Sequence, residues 1–139
     1  MKSIFIFTLL FSTAAFAAAK NPLSGSWKGY CFAVDEKEAQ LCSFTFGVTN
    51  NGTYTCDYYT DLRCGSVGTK KLVLQFDFVT NSKGLTKISF TKGGDLESQT
   101  SSFVVTGDLL SETILETKKR IDKVSIKDHV GPYKYTRVK

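Results

Sequence analysis

Apolar and polar residues alternate with period two through most of the chain beyond residue 20, and clusters of turn residues separate the alternating runs. A period of two marks half-buried β-strands, whereas an amphipathic helix repeats every 3.6 residues. Cys42, Phe44, Phe46 and Val48 fall on one face, with Ser43, Thr45 and Thr49 on the other. Asn50-Asn51-Gly52 then supplies a turn that tolerates positive φ, and Tyr54, Cys56 and Tyr58 alternate with Thr53, Thr55 and Asp57 on the way back. This predicts a hairpin. Leu72, Leu74, Phe76 and Phe78 form the next apolar face, followed by a turn at Asn81-Ser82-Lys83-Gly84 and a strand carrying Ile88 and Phe90. Phe103 and Val105 lead into Gly107-Asp108, a two-residue hairpin signal, and Leu109 to Glu116 runs back.

Two stretches fit the pattern less well. From Thr113 to Ile126, Leu110 and Ile114 at helical spacing compete with the alternation of Val124 and Ile126, and we assign strand. Gly93-Gly94-Asp95 to Ser102 is polar and is expected to be a loop. Gly131-Pro132 precedes a last strand on which Tyr133, Tyr135 and Arg137 share a face. The runs amount to about eight to ten antiparallel strands, which must close or stack to hide their edges. Because the hairpins are consecutive, the expected fold is all-β, an antiparallel up-and-down barrel. Gly25 lets the chain bend into the first strand, Trp27 is expected to plug the closed end, and Arg137 of the last strand can lie on the indole face. Gly25, Trp27 and Arg137 are therefore read as structural.

Composition adds an address. Met1-Lys2, an apolar run from Ile4 to Phe11 and the small-residue end Ala15-Phe16-Ala17-Ala18-Ala19 are the parts of a secretory signal peptide over residues 1–19. Cleavage after Ala17 or Ala19 leaves about 120 residues, enough for one domain, 20–139. The expected location is secreted or periplasmic, with no transmembrane segment, since no later run is long and uncharged enough to span. Without Lys2 the 18 basic residues become 17 against 13 acidic ones, a net +4 that is spread along the chain apart from Lys118-Lys119-Arg120. That spread predicts no nucleic-acid partner. Four cysteines, Cys31, Cys42, Cys56 and Cys64, with no Cys-x-x-Cys pair and a single histidine, predict two disulfides and no metal site.

The opening Gly25-Ser26-Trp27, the consecutive hairpins and Arg137 near the end resemble the lipocalin and calycin superfamily. More closely, Trp27-Lys28-Gly29-Tyr30-Cys31, Tyr58-Tyr59-Thr60-Asp61-Leu62-Arg63-Cys64 and Tyr135-Thr136-Arg137-Val138 resemble the small lipocalin-like domains of exported bacterial proteins. The ends and first half of the chain carry this resemblance, and the middle does not. The resemblance implies that Cys31 pairs with Cys64, near the open end, leaving Cys42 with Cys56. A turn centred on Asn50-Asn51-Gly52 instead sets Cys56 opposite Phe46, roughly 13 Å from Cys42, beyond disulfide reach. Either a bulge shifts the register, or Cys31 pairs with Cys42 and Cys56 with Cys64.

For function, Phe44, Phe46, Tyr54, Tyr58, Leu74, Phe76, Ile88, Phe90 and Phe103 are expected to face inward, lining a ligand pocket or filling the barrel. Tyr135 and Arg137 join the candidate ligand-binding set, because intracellular fatty-acid-binding barrels hold a carboxylate with an arginine and a tyrosine of the last strand. Leu109, Ser111, Thr113 and Leu115, if inward, would add two hydroxyls to this set. His129 beside Asp128, and Asp57 and Asp61 near Tyr59, form no catalytic motif, so neither an enzyme nor a cofactor is expected. The expected partner is a hydrophobic or amphipathic small molecule. The alternative is a secreted or envelope protein gripped by the loops Val34 to Gln40 and Gly93 to Ser102 of a filled barrel.

Overall fold

A computed structural model of the chain describes residues 21–66, 68–92 and 94–139, so the signal read over residues 1–19 lies outside it. The regular elements are β1 (Gly25–Gly29), β2 (Phe32–Ala33), β3 (Ala39–Phe46), β4 (Asn51–Tyr59), β5 (Lys70–Thr80), β6 (Leu85–Lys92), β7 (Leu96–Thr106), β8 (Leu109–Lys119), β9 (Ser125–Ile126) and β10 (Val130–Arg137). Neighbouring strands pair antiparallel throughout, and β1 bonds to both β3 and β10. Eight strands therefore close into an up-and-down barrel, which leaves no long edge for another chain to pair with. The two short strands extend it at one end, β2 along β3 and β9 along β8.

Hairpin chemistry sets the registers. Gly107 has a φ of 61° at the first central position of a two-residue turn that pairs Thr106 with Leu109. In the turn after β5, Asn81 Oδ1 accepts from the Lys83 and Leu85 amides, and Gly84 takes the positive φ of 77°.

The β3–β4 turn departs from expectation. Only Asn50 is left-handed, with a φ of 59°, and it ends a three-residue loop closed by the Gly47 amide donating to the Asn51 carbonyl at 2.7 Å. Asparagine tolerates this conformation, so the loop covers residues 48–50 and finishes two residues earlier than a turn over Asn50-Asn51-Gly52 would. Asn51 and Gly52 begin β4, and Val48, expected inward, is 82% exposed in the turn. A side chain at position 52 would collide with the Phe76 ring and stand 2.5 Å from the Thr45 carbonyl, which is why a glycine sits in this strand. The corrected register pairs Phe46 with Gly52 and sets Cys42 directly opposite Cys56.

The cysteines form Cys42–Cys56, with Cα atoms 4.1 Å apart, and Cys31–Cys64, at 5.9 Å. The pairing of Cys31 with Cys64 ties the end of β1 to the β4–β5 loop. Two disulfides are consistent with an oxidising compartment such as the periplasm or the extracellular space. The strand assignment for residues 113–126 holds through Lys119 and again at Ser125–Ile126. The expected loop from Gly93 to Ser102 is strand from Leu96 onward, where β7 begins and its polar residues Gln99 and Ser101 are buried in the barrel, while Gly93 lies outside the described residues.

The closed end is built as the sequence suggests. Trp27 is fully buried, and its Nε1 donates to the Leu23 carbonyl at 2.7 Å. Arg137 pairs with it across β1 and β10, with the guanidinium carbon 4.1 Å from the ring centre and Nη1 donating to the Ser24 carbonyl at 2.9 Å. Gly25, at a φ of 118°, passes so close that a side chain would lie 3.1 Å from Arg137 Nη1. Above this plug, Phe46 packs against Phe76, Phe78 and Phe103 at centroid distances of 5.5, 5.2 and 5.5 Å, mostly edge to face. That geometry suits the aromatic quadrupole and fills the lower barrel.

Candidate functional site

Toward the open end the packing loosens into a cavity of about 140 Å³. Phe44, Tyr54 and Phe90 form its apolar wall together with Leu96 and Ile114, Phe32 and Tyr133 stand at the rim, and Gln40, Gln99 and Glu112 supply the polar atoms. The two rim rings are 6.4 Å apart, while Phe44 holds Tyr54 at 4.6 Å and Tyr135 at 5.3 Å.

Glu112 is 1% exposed, yet its carboxylate is well provided with donors. Oε1 accepts from Gln99 Nε2 at 2.7 Å and from the Ser101 hydroxyl at 2.9 Å, and Oε2 accepts from the Tyr135 hydroxyl at 3.0 Å. Gln99 Nε2 also donates to the Ser101 hydroxyl at 3.0 Å. Among the described residues no buried side-chain polar atom lacks a partner. Burial pushes the Glu112 carboxyl up to about 7, against the pull of the three hydrogen bonds, which favour the charged form. Tyr135 and Tyr54 are raised far above an ordinary phenol, first by burial and then by the neighbouring Glu112, so both stay neutral.

The sequence-derived candidates divide into three groups. Phe44, Tyr54 and Phe90 line the cavity, and Tyr135 orients Glu112 beneath it. Phe46, Leu74, Phe76, Ile88 and Phe103 belong to the packed aromatic layer. Tyr58 sits beside Lys70, with Nζ 5.5 Å from its ring centre, and lies outside the cavity. Arg137 is committed to Trp27 at the opposite end, so the expected arginine and tyrosine pair on one ligand does not form.

Leu109, Ser111, Thr113 and Leu115 are not the inward face of β8. Leu109 is 51% exposed and the Ser111 hydroxyl accepts from Lys134 Nζ at 3.1 Å, while Leu110 and Glu112 are buried. The two-residue turn decides this, because pairing Thr106 with Leu109 sets Phe103 opposite Glu112. Glu112, Gln99 and Ser101 were thus missed, although an inward Phe103 combined with the Gly107-Asp108 turn requires an inward Glu112.

The acidic residues near Tyr59 are not paired. Asp61 organises the β4–β5 loop, with Oδ1 accepting from the Arg63 and Gly65 amides and Oδ2 from the Ser66 amide and hydroxyl. The Ser66 hydroxyl and then these amides hold its carboxyl well below the usual range. Asp57 lies in β4 opposite Lys71, and His129 is exposed. Among the described residues no helix is long and apolar enough to cross a membrane. Compared with known proteins, the chain matches no protein-family model, no curated protein and no solved structure.

Proposed function

We propose that the protein is an exported, lipocalin-like barrel that binds one small apolar or amphipathic molecule at its open end, acting as a binder rather than a catalyst. The observation that carries this reading is a buried carboxyl with a dedicated hydrogen-bond network, bordering an aromatic cavity that no side chain of the described residues fills. A barrel interior serving only as a plug gains nothing from a buried acid, whose desolvation costs several kcal/mol by order of magnitude. The cavity size narrows the ligand class. A volume of about 140 Å³ is close to that of a cavity that holds benzene, and well below the roughly 300–1,000 Å³ of drug-sized sites. The ligand is therefore ring-sized. Sterols, retinoids and long fatty acids would have to displace Phe46 and Phe76. The two disulfides and the residue 1–19 signal support a periplasmic or secreted location.

Calorimetric titration with ring-sized compounds tests the reading. Saturable binding is expected in the native protein and should be lost in Ile114→Trp, which fills the cavity, while near-UV circular dichroism stays native. A second reading, a protein-interaction module on a filled barrel, draws on the exposed Tyr30 (58%), which lines an outer groove of about 290 Å³ together with Phe32, Pro132 and Tyr133. Absence of ligand binding, with loss of partner capture in Tyr30→Ser, would favour it.

A further inference from the structure

Glu112 is unusual in what it lacks. Its three hydrogen-bond donors, Gln99, Ser101 and Tyr135, are all neutral. Among the described residues no lysine or arginine side chain bonds to it, and the salt bridges use Glu97 and Asp108 instead. Arg120, which lies toward the open end, spends its guanidinium on the Phe90 carbonyl at 2.7 Å and the Leu96 carbonyl at 3.4 Å. A buried carboxylate is ordinarily paired or made neutral, because an isolated charge in a low dielectric is costly. Here the pairing group is missing while an open volume borders the carboxyl.

The acceptor inventory points the same way. A carboxylate offers about four lone-pair sites. Oε1 uses two of them on Gln99 and Ser101, and Oε2 uses one on Tyr135, so among the described residues one acceptor site on Oε2 has no donor. The walls around the cavity are the rings of Phe44, Tyr54, Phe90 and Tyr133. Aromatic faces carry negative potential and favour cations, more strongly when water is excluded. Carboxylate and ring faces thus select the same charge.

We propose that the cavity takes a small organic cation, a protonated primary amine on a ring-sized apolar body, with Glu112 as its counter-ion and the aromatic walls as its cage. This rests on the reading that the cavity binds a small molecule and names the class. The ammonium would donate to Oε2, and the apolar body would lie between Phe44, Phe90 and Ile114. In the empty barrel burial keeps the Glu112 carboxyl largely protonated below about pH 7, so cation binding expels its proton and strengthens as pH rises. The groups that face Glu112 are phenols and uncharged side chains, with Tyr133 of β10 directly opposite it in the sheet. Tyr54 from β4 and Tyr135 from β10 stay neutral, and Gln99 and Ser101 from β7 have no charge to lose.

The test is a calorimetric series on the native mature protein with benzylamine, benzyl alcohol and benzoate, repeated on Glu112→Gln. Glutamine keeps the shape, and near-UV circular dichroism checks its fold. Benzylamine is expected to bind at least about tenfold more tightly than benzyl alcohol. Its affinity should rise between about pH 5 and about pH 8, and Glu112→Gln should remove both the preference and the pH dependence. Equal binding of benzyl alcohol, or a preference for benzoate, overturns the cation inference and leaves the binding cavity standing. If none of the three binds the native protein, both readings fail. The comparison of ligands on the native protein decides the matter even if the variant does not fold.

Discussion

Trp27 and Arg137 are cross-strand partners in the seam that closes the barrel, with the guanidinium carbon 4.1 Å from the indole ring centre. The arginine also donates to the Ser24 and Pro22 carbonyls, and its Nε lies 3.6 Å from Asp108. One side chain therefore binds the first strand, its lead-in and the β7–β8 turn together.

Trp27→Ala should destabilise the fold by about 3 to 5 kcal/mol, the range for deleting a large buried aromatic. Arg137→Ala should cost less, because neighbouring side chains can partly replace its stem. Chemical denaturation of both variants and of the double variant should give a coupling energy of about 1 to 2 kcal/mol. Strict additivity would mean that the stacked contact contributes nothing.

Glu112 predicts an inverted pH dependence of stability. Its carboxyl moves from an ordinary 4.5 up to about 7 on folding, so between these values the folded chain holds the proton more often than the unfolded one. Stability is then full below pH 4.5 and falls as pH rises toward 7, by about 3 kcal/mol at most. The unfolding free energy of the native protein, minus that of Glu112→Gln at each pH, isolates this effect. A flat difference across the window would show that Glu112 is ionised in the empty barrel.

The two disulfides should differ in what they contribute. Cys31–Cys64 closes a sequence separation of 33 residues and Cys42–Cys56 one of 14. Loop-closure entropy alone gives about 4 and about 3 kcal/mol respectively. Paired alanine substitutions at each bridge, compared by denaturant midpoint, should rank in that order. Intact mass of the exported protein should begin at Ala18 or Lys20 and be about 4 Da below the reduced chain, and free thiols would contradict the pairing.

What was legible in the sequence is what period two and chain position encode. Phe44, Phe46, Phe76, Phe78 and Phe90 alternate with polar residues, and all are buried. Trp27 and Arg137 stand in the first and last strands, which closure must bring together. Register was harder to read. Whether the β3–β4 loop ends at Asn50 or two residues later at Gly52 decides whether Cys42 meets Cys56, and asparagine satisfies either turn until Gly52 is seen to be needed against Phe76.

The site was hidden for a related reason. A glutamate flanked by Ser111 and Thr113 looks like a solvated strand face, and the polar run before Phe103 looks like a loop. Only their mutual hydrogen bonds make both belong inside. The rim residues Phe32 and Tyr133 lie where the first and last barrel strands are interrupted, at β2 and beside a bulge, and regular alternation does not reach that far.

The most direct test of the binding cavity is an NMR measurement of intermolecular NOEs between a ring-sized probe, benzylamine or benzyl alcohol, and the methyl groups of the protein. Contacts to Leu96 and Ile114 are expected, with none to Leu110 in the packed layer or to Val34 outside the barrel. NOEs confined to Val34 and the outer groove, or none at saturating probe, would contradict a ligand site at Glu112.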